Sequence, residues 1–315
     1  MIRLLFSSVI LISIAAYSQS TETKASRKTP KFSDEVSKII KGNSIYSDAL
    51  NWKEIATEIA ALPMSANDSI FNSLLFQFFT KKLRQAGDNH SFFLTKRTVS
   101  NLKQNSIQAQ PEGLYVGDGI GLIKVPRYVT LESAKDKEFE NTIRAEIMKL
   151  DTSQNIAGWI VDLRQNSGGN MWPMIAGLNA LIKDGTFAYF VSPKSKKKIP
   201  WVSRNTGDGY KIKNTNAKIA IMIDSLTASS GEMTAISFIG LPNVRVFGMP
   251  SAGYTTANAS YQLSDGTQLL LAVSYVADRT KKPYLDKIVP DEVIENNPGT
   301  TIDEVVAASK KWLLQ

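Results

Sequence analysis

The chain has 315 residues, 43% of them apolar, which is enough for a sizeable core and excludes a disordered or wholly membrane-embedded protein. It contains no cysteine, so disulfides and thiol catalysis are excluded. The 37 Lys and Arg against 29 Asp and Glu leave a formal charge of +8. The densest basic run, "SPKSKKKIP" (Ser192 to Pro200), lacks aromatic interleaving and reads as a solvated loop, not a nucleic-acid surface.

The first residues, "MIRLLFSSVILISIAAYSQS", combine an early Arg3, an apolar stretch from Leu4 to Ala16 and small residues at Ala16 and Ser18. That layout predicts a signal peptide over residues 1–18, and its apolar part falls short of the ~20 residues that span a bilayer. The mature chain is then expected to be secreted or periplasmic, with no stable membrane insertion. Residues 19–31 are polar and predict a flexible leader. From Phe32 to Ala86 apolar residues recur at helical spacing in three groups: Val36, Ile39 and Ile40; Trp52, Ile55, Ile59 and Ala60; Ile70, Leu74, Leu75, Phe78 and Phe79. They predict a small helical domain over 32–92, with turns near Asp48 to Asn51 and Ser65 to Asp68.

After Gly113 strand and helix alternate. "GIGLIKVPRYV" reads as a strand, Ser133 to Leu150 as an amphipathic helix, "IAGWIVDLR" as a buried strand and Met171 to Gly185 as a helix with Pro173 in its first turn. "AKIAIMID" is a second buried strand, followed by a helix from Gly231 and a strand over Asn243 to Gly248. Asp265-Gly266 signals a hairpin between two strand-like runs, and a helix over Ile302 to Leu314 closes the chain. The fold class this predicts is α/β, with residues 93–315 as one core domain.

Three stretches can carry chemistry. In "VDLRQNSGGN" (Val161 to Asn170) a buried strand opens into two glycines, Gly168 and Gly169, whose backbone N–H groups no side chain shields. "TASSGE" places Ser229 and Ser230 at the start of a helix with Glu232 in its first turn. A nucleophile there and a simple helix cap are both consistent with the local pattern. "DNHSFF" (Asp88 to Phe93) holds His90, the only histidine, so any Ser/His mechanism must use it.

Taken in order, "GWIVDLRQNSGG", "TASSGE", "FGMPSAGYTTAN", "LSDGTQLLL" and "IVPDEVI" resemble the catalytic domain of the tail-specific or C-terminal-processing serine proteases, peptidase family S41, over about Gly119 to Ile294. The resemblance implies a crotonase-like spiral α/β core and a serine peptidase acting on peptides or unfolded proteins without a cofactor or metal. It makes Ser229 the nucleophile. Ser230 and Gly168 or Gly169 would supply the oxyanion N–H groups. The lysine of the Ser/Lys members would fall at Tyr254, so the chain is similar instead to the tricorn-core branch, whose histidine corresponds to His90. Asp286 is the expected carboxylate orienting that histidine, with Ser91 and Asp88 as alternatives. Too few residues separate Phe93 from Gly119 for a PDZ module, which takes on the order of 100. The departure at the third member leaves a competing expectation, a catalytically inactive relative that binds peptides or other ligands, and a third reading is an esterase-like acyl transfer in the same site.

Overall fold

In the computed structural model the described residues are 29–63, 68–104, 109–130, 133–182, 185–202, 210–295 and 303–315. The expected signal peptide, most of the leader and the turn at Ser65 lie outside them. Helix α1 (Thr29–Asn43) begins three residues inside the stretch read as leader. Asn51 caps α2 (Trp52–Ala60) by accepting the Glu54 N–H, and α3 (Asp68–Gln85) follows. On α3 the buried face is Phe71, Leu75, Phe76, Phe79 and Leu83, while Ile70 is 53% exposed. The apolar stripe is thus rotated by about one residue from the expected one. These helices share a core with Leu263, Leu269 and Leu271 of the hairpin described below, so their apolar faces close on a sheet as well as on one another.

A six-stranded sheet with mixed pairing carries the α/β alternation. Its members are β2 (Glu112–Tyr115), β3 (Ile120–Lys124), β4 (Gly158–Asp162), β7 (Lys218–Ile223), β8 (Val244–Gly248) and β12 (Glu292–Val293), in the order β12-β8-β7-β4-β3-β2. All neighbours are parallel except the β2–β3 pair. Parallel strands need crossovers, which place helices on both faces and bury the strands throughout. Strand β7 shows the consequence: Ile219, Ile221 and Ile223 belong to the core under α5 (Ser133–Ser153), α6 (Met171–Gly177) and α7 (Ser230–Ile236). Ala220 and Met222 face the other way, onto the core under α8 (Glu304–Leu313).

The second sheet is antiparallel. It contains β1 (Phe92–Leu94), β5 (Thr186–Val191), β6 (Lys198–Val202), β9 (Thr256–Gln262), the long β10 (Gln268–Asp278) and β11 (Pro283–Tyr284), all built around β10. The predicted hairpin at Asp265-Gly266 joins β9 to β10, with Gly266 at φ 84. The basic run is not wholly a loop: Lys198 to Pro200 pair with Tyr189 to Val191, and the turn between β5 and β6 holds the remaining lysines. Short helix α4 (Lys96–Gln104) follows β1. No helix among the described residues is long and apolar enough to cross a membrane.

Candidate active site

Ligand sites in parallel α/β sheets form beyond the carboxyl ends of the strands, and two loops meet at that edge here. The first leaves β4 and runs from Leu163 to Asn170. Asn166, fully buried, fastens it: its Nδ2 donates to the carbonyls of Val125 (3.0 Å) and Pro126 (3.2 Å), and its Oδ1 accepts the Gly168 N–H at 3.0 Å. The Tyr128 N–H donates to the Gly168 carbonyl and the Asn170 N–H to the Tyr128 carbonyl, which turns both the N–H and the C=O of Gly169 away from Tyr128. Gly169 has φ 122, and a Cβ there would overlap the Tyr128 carbonyl, so no other residue fits.

The second loop leaves β7 and ends at Ser229, which has φ 51 and ψ −118. A non-glycine residue with φ in this range is strained and persists only where its surroundings hold it. The holder is Glu232, whose fully buried carboxylate accepts four hydrogen bonds: from the N–H groups of Ser229, Gly253 and Tyr254, each at 2.8 Å, and from the Ser251 hydroxyl at 2.5 Å. Burial raises the Glu232 pKa against the opposing pull of those four donors. Ser230 Oγ donates to the Gly169 carbonyl at 2.6 Å, locking the two loops together. The N–H groups of Ser230 and Gly169 have no acceptor among the described residues, whereas that of Gly168 is taken by Asn166.

His90 arrives from the other sheet. Asp88, buried at the end of the turn after α3, accepts the N–H groups of His90 (3.0 Å) and Ser91 (2.9 Å) and the Ser91 hydroxyl (2.5 Å). The Ser91 hydroxyl in turn accepts the Ala272 N–H, joining this turn to β10. The result places His90 Nε2 2.9 Å from Ser229 Oγ, across 139 residues of sequence. Tyr254 stacks on the imidazole, with ring centroids 5.5 Å apart and planes 11° apart. Burial holds the imidazole below its ordinary pKa, while the charge of Asp88 and a hydrogen bond with the Thr256 backbone pull it upward.

The structure therefore brings Ser229, Ser230, His90, Gly168 and Gly169 into one cluster and leaves Asp286 out of it. The atom facing His90 Nδ1 is Thr256 Oγ1, at 2.9 Å. Asp286 lies beside Gly253, and its carbonyl takes the Thr255 hydroxyl at 3.0 Å. The expectation of an Asp286–His90 pair is thus corrected: β9 starts at Thr256 and occupies the space beside Nδ1 before the loop after β11 can reach it. Thr256 and Asn258 were missed although both stand in "YTTAN". Their i, i+2 spacing on a strand puts both on one face.

The family model of peptidase family S41 matches residues 119–294. The chain belongs to peptidase family S41. It is 30% identical over 277 residues to the nisin-resistance protein of Lactococcus lactis subsp. lactis, covering 85% of this chain and 83% of that one. It is 25% identical over 193 residues to the chloroplastic carboxyl-terminal-processing peptidase 2 of Arabidopsis thaliana, an alignment that covers 61% of this chain and 35% of the longer relative. Among solved structures, a lipoprotein from Streptococcus agalactiae superposes with a TM-score of 0.74 at 26% identity, covering 96% of this chain and 99% of that one. The photosystem II D1 C-terminal processing protease superposes with a TM-score of 0.61 at 11% identity, over 90% and 97% of the two chains, and so shares the fold. The mixed α/β S41 fold read from the sequence is the fold observed.

Proposed function

We propose that this S41 chain is an active serine peptidase in which Ser229 is the nucleophile and His90 its general base. The observation that carries the reading is the 2.9 Å contact between Ser229 Oγ and His90 Nε2. Lowering of the His90 pKa by burial supports it, because a neutral imidazole is the form that accepts a proton. With Nδ1 protonated and donating to Thr256, Nε2 presents its lone pair to the serine hydroxyl. The serine proton passes to Nε2 as Oγ bonds to the peptide carbonyl carbon. The carbonyl electron pair moves onto oxygen, where the open N–H groups of Ser230 and Gly169 receive it. The imidazolium then gives its proton to the departing amine nitrogen, the C–N bond breaks, and water resolves the acyl-enzyme by the same steps in reverse order of partners. This assigns the oxyanion hole to Gly169 in preference to Gly168, whose N–H is already engaged.

The substrate class is peptide or unfolded protein, and the site of action is the cell envelope or beyond. The predicted signal peptide and the lipoprotein and nisin-resistance relatives support that location. The test is cleavage of casein and of nisin by the chain beside Ser229→Ala, His90→Ala and Ser230→Ala, with products identified by mass spectrometry. Cleavage lost in the first two and retained in the third is the expected result. Peptide binding without cleavage by the parent chain would overturn the reading in favour of an inactive, ligand-binding relative.

A further inference from the structure

Resting on the Ser229–His90 reading, we propose that Thr256 is the positioning residue of His90: its neutral hydroxyl stands where a histidine-orienting carboxylate would, and the buried Asp88, two residues before His90, supplies the missing negative charge. Three observations carry this. Thr256 Oγ1 lies 2.9 Å from Nδ1, and Thr256 is only 6% exposed, so water does not compete freely for that ring nitrogen. Two residues along the same strand face, Asn258 Nδ2 donates to the His90 carbonyl at 2.9 Å, so β9 grips the histidine at both ring and backbone. Asp88, 1% exposed, spends its oxygens on the His90 and Ser91 N–H groups and the Ser91 hydroxyl, and on no cation among the described residues.

The division of labour follows from donor chemistry. A threonine hydroxyl can accept from Nδ1–H, the tautomer that leaves Nε2 free, and so holds the ring in place, which is the geometric task of the third residue. It carries no charge, so it does little for the imidazolium that forms during proton transfer. Asp88 does that through space, as the charge acting on His90. Tyr254 stacks on the ring and Ser229 faces Nε2.

His90 is the only histidine in the chain, so an untagged full-length protein labelled with nitrogen-15 histidine yields one imidazole spin system. The parent is expected to show the Nδ1–H tautomer. Thr256→Val, which keeps the shape and deletes the acceptor, is expected to mix the tautomers and lower kcat about tenfold with little change in KM, the loss of one hydrogen bond. Thr256→Ser is expected to restore both. Asp88→Asn keeps an oxygen for the two backbone N–H groups but removes the charge that pulls the His90 pKa upward, and is expected to lower that pKa further. A Thr256→Val chain with unchanged tautomer and kcat overturns the proposal, as does an Asp88→Asn chain that folds and titrates like the parent. If Asp88→Asn does not fold, the valine and serine pair decides alone. The nuclear signals do not depend on turnover: a chain that cleaves nothing yet loses its tautomer in Thr256→Val refutes the peptidase reading and leaves the positioning role standing.

Discussion

Glu232 is the residue whose replacement has the most calculable consequence. Its Oε2 accepts the N–H groups of Ser229 and Tyr254, and its Oε1 accepts the Gly253 N–H and the Ser251 hydroxyl. In Glu232→Gln one oxygen becomes an NH2 group. Placed at the Oε2 position it would confront two backbone donors; placed at Oε1 it confronts one, plus a hydroxyl that already accepts the Ile288 N–H. The amide therefore settles at Oε1, giving up the Gly253 bond and straining the Ser251 contact while Ser229 and Tyr254 stay held. The cost is about 2–4 kcal/mol, from one buried donor left unpaired and one weakened charged hydrogen bond. Glu232→Ala leaves all four donors without their acceptor, the Ser251 hydroxyl buried and the three N–H groups part-buried, at up to roughly 1–3 kcal/mol each, comparable in sum with the ~5–15 kcal/mol of a whole domain. Denaturant unfolding followed by tryptophan fluorescence, beside peptide turnover, reads both. Glu232→Gln should fold, unfold at lower denaturant and retain reduced Ser229-dependent cleavage, while Glu232→Ala should be largely unfolded. An alanine variant within about 1 kcal/mol of the parent would refute the reasoning that this carboxylate holds the strained serine.

Because burial lowers the His90 pKa, the acid limb of kcat/KM should fall below the ordinary histidine value of about 6.5, and activity should be flat from there to pH 8. The same shift has a stability sign. Between the lowered folded pKa and ~6.5 the unfolded chain binds the proton and the folded one does not. The contribution is therefore complete above ~6.5 and is lost as pH falls toward the folded value, which unfolding measured across that window checks. Gly169→Ala should reduce kcat by about 100-fold or more in peptide hydrolysis, because its Cβ would displace the loop that aims an oxyanion donor, whereas Ser230→Ala keeps its N–H and should lose no more than about tenfold. Asn166→Ala should lower stability by roughly 2–4 kcal/mol in the same unfolding assay, having left the Val125 and Pro126 carbonyls and the Gly168 N–H without their partner.

The sheet that carries the site was legible because its strands speak locally. β4 and β7 are unbroken apolar runs ending in small and polar residues, and runs buried on both faces joined by helical segments have few other solutions. The β5–β6 hairpin was less legible because Lys198 and Ile199 sit on an exposed edge, where charge says little about pairing. The buried face of α3 was misplaced by a residue for a related reason: Ile70, Phe71, Leu74, Leu75, Phe78 and Phe79 offer two overlapping stripes, and only the position of β9 and β10 against the helix chooses between them.

At the site the divide falls between residues with a chemical signature and residues whose role is conferred by a partner. Ser229 and His90 carry reactive groups, and a lone histidine has no rival, so their pairing across 139 residues could be expected before any geometry existed. Thr256 has no such signature. A threonine at the start of a strand is ordinary, and it becomes the neighbour of Nδ1 only because the turn capped by Asp88 and the first residue of β9 are brought together over 166 residues. Asp286 drew the expectation because the resemblance implies a carboxylate shortly before Pro290-Asp291, yet its side chain lies beside Gly253 and the atom at Nδ1 is Thr256 Oγ1. The carboxylates that do shape this site, Asp88 and Glu232, each act through backbone N–H groups. They set where the imidazole and the serine stand without touching either reactive atom, and a side chain that works on the backbone leaves no mark in a pattern of reactive residues.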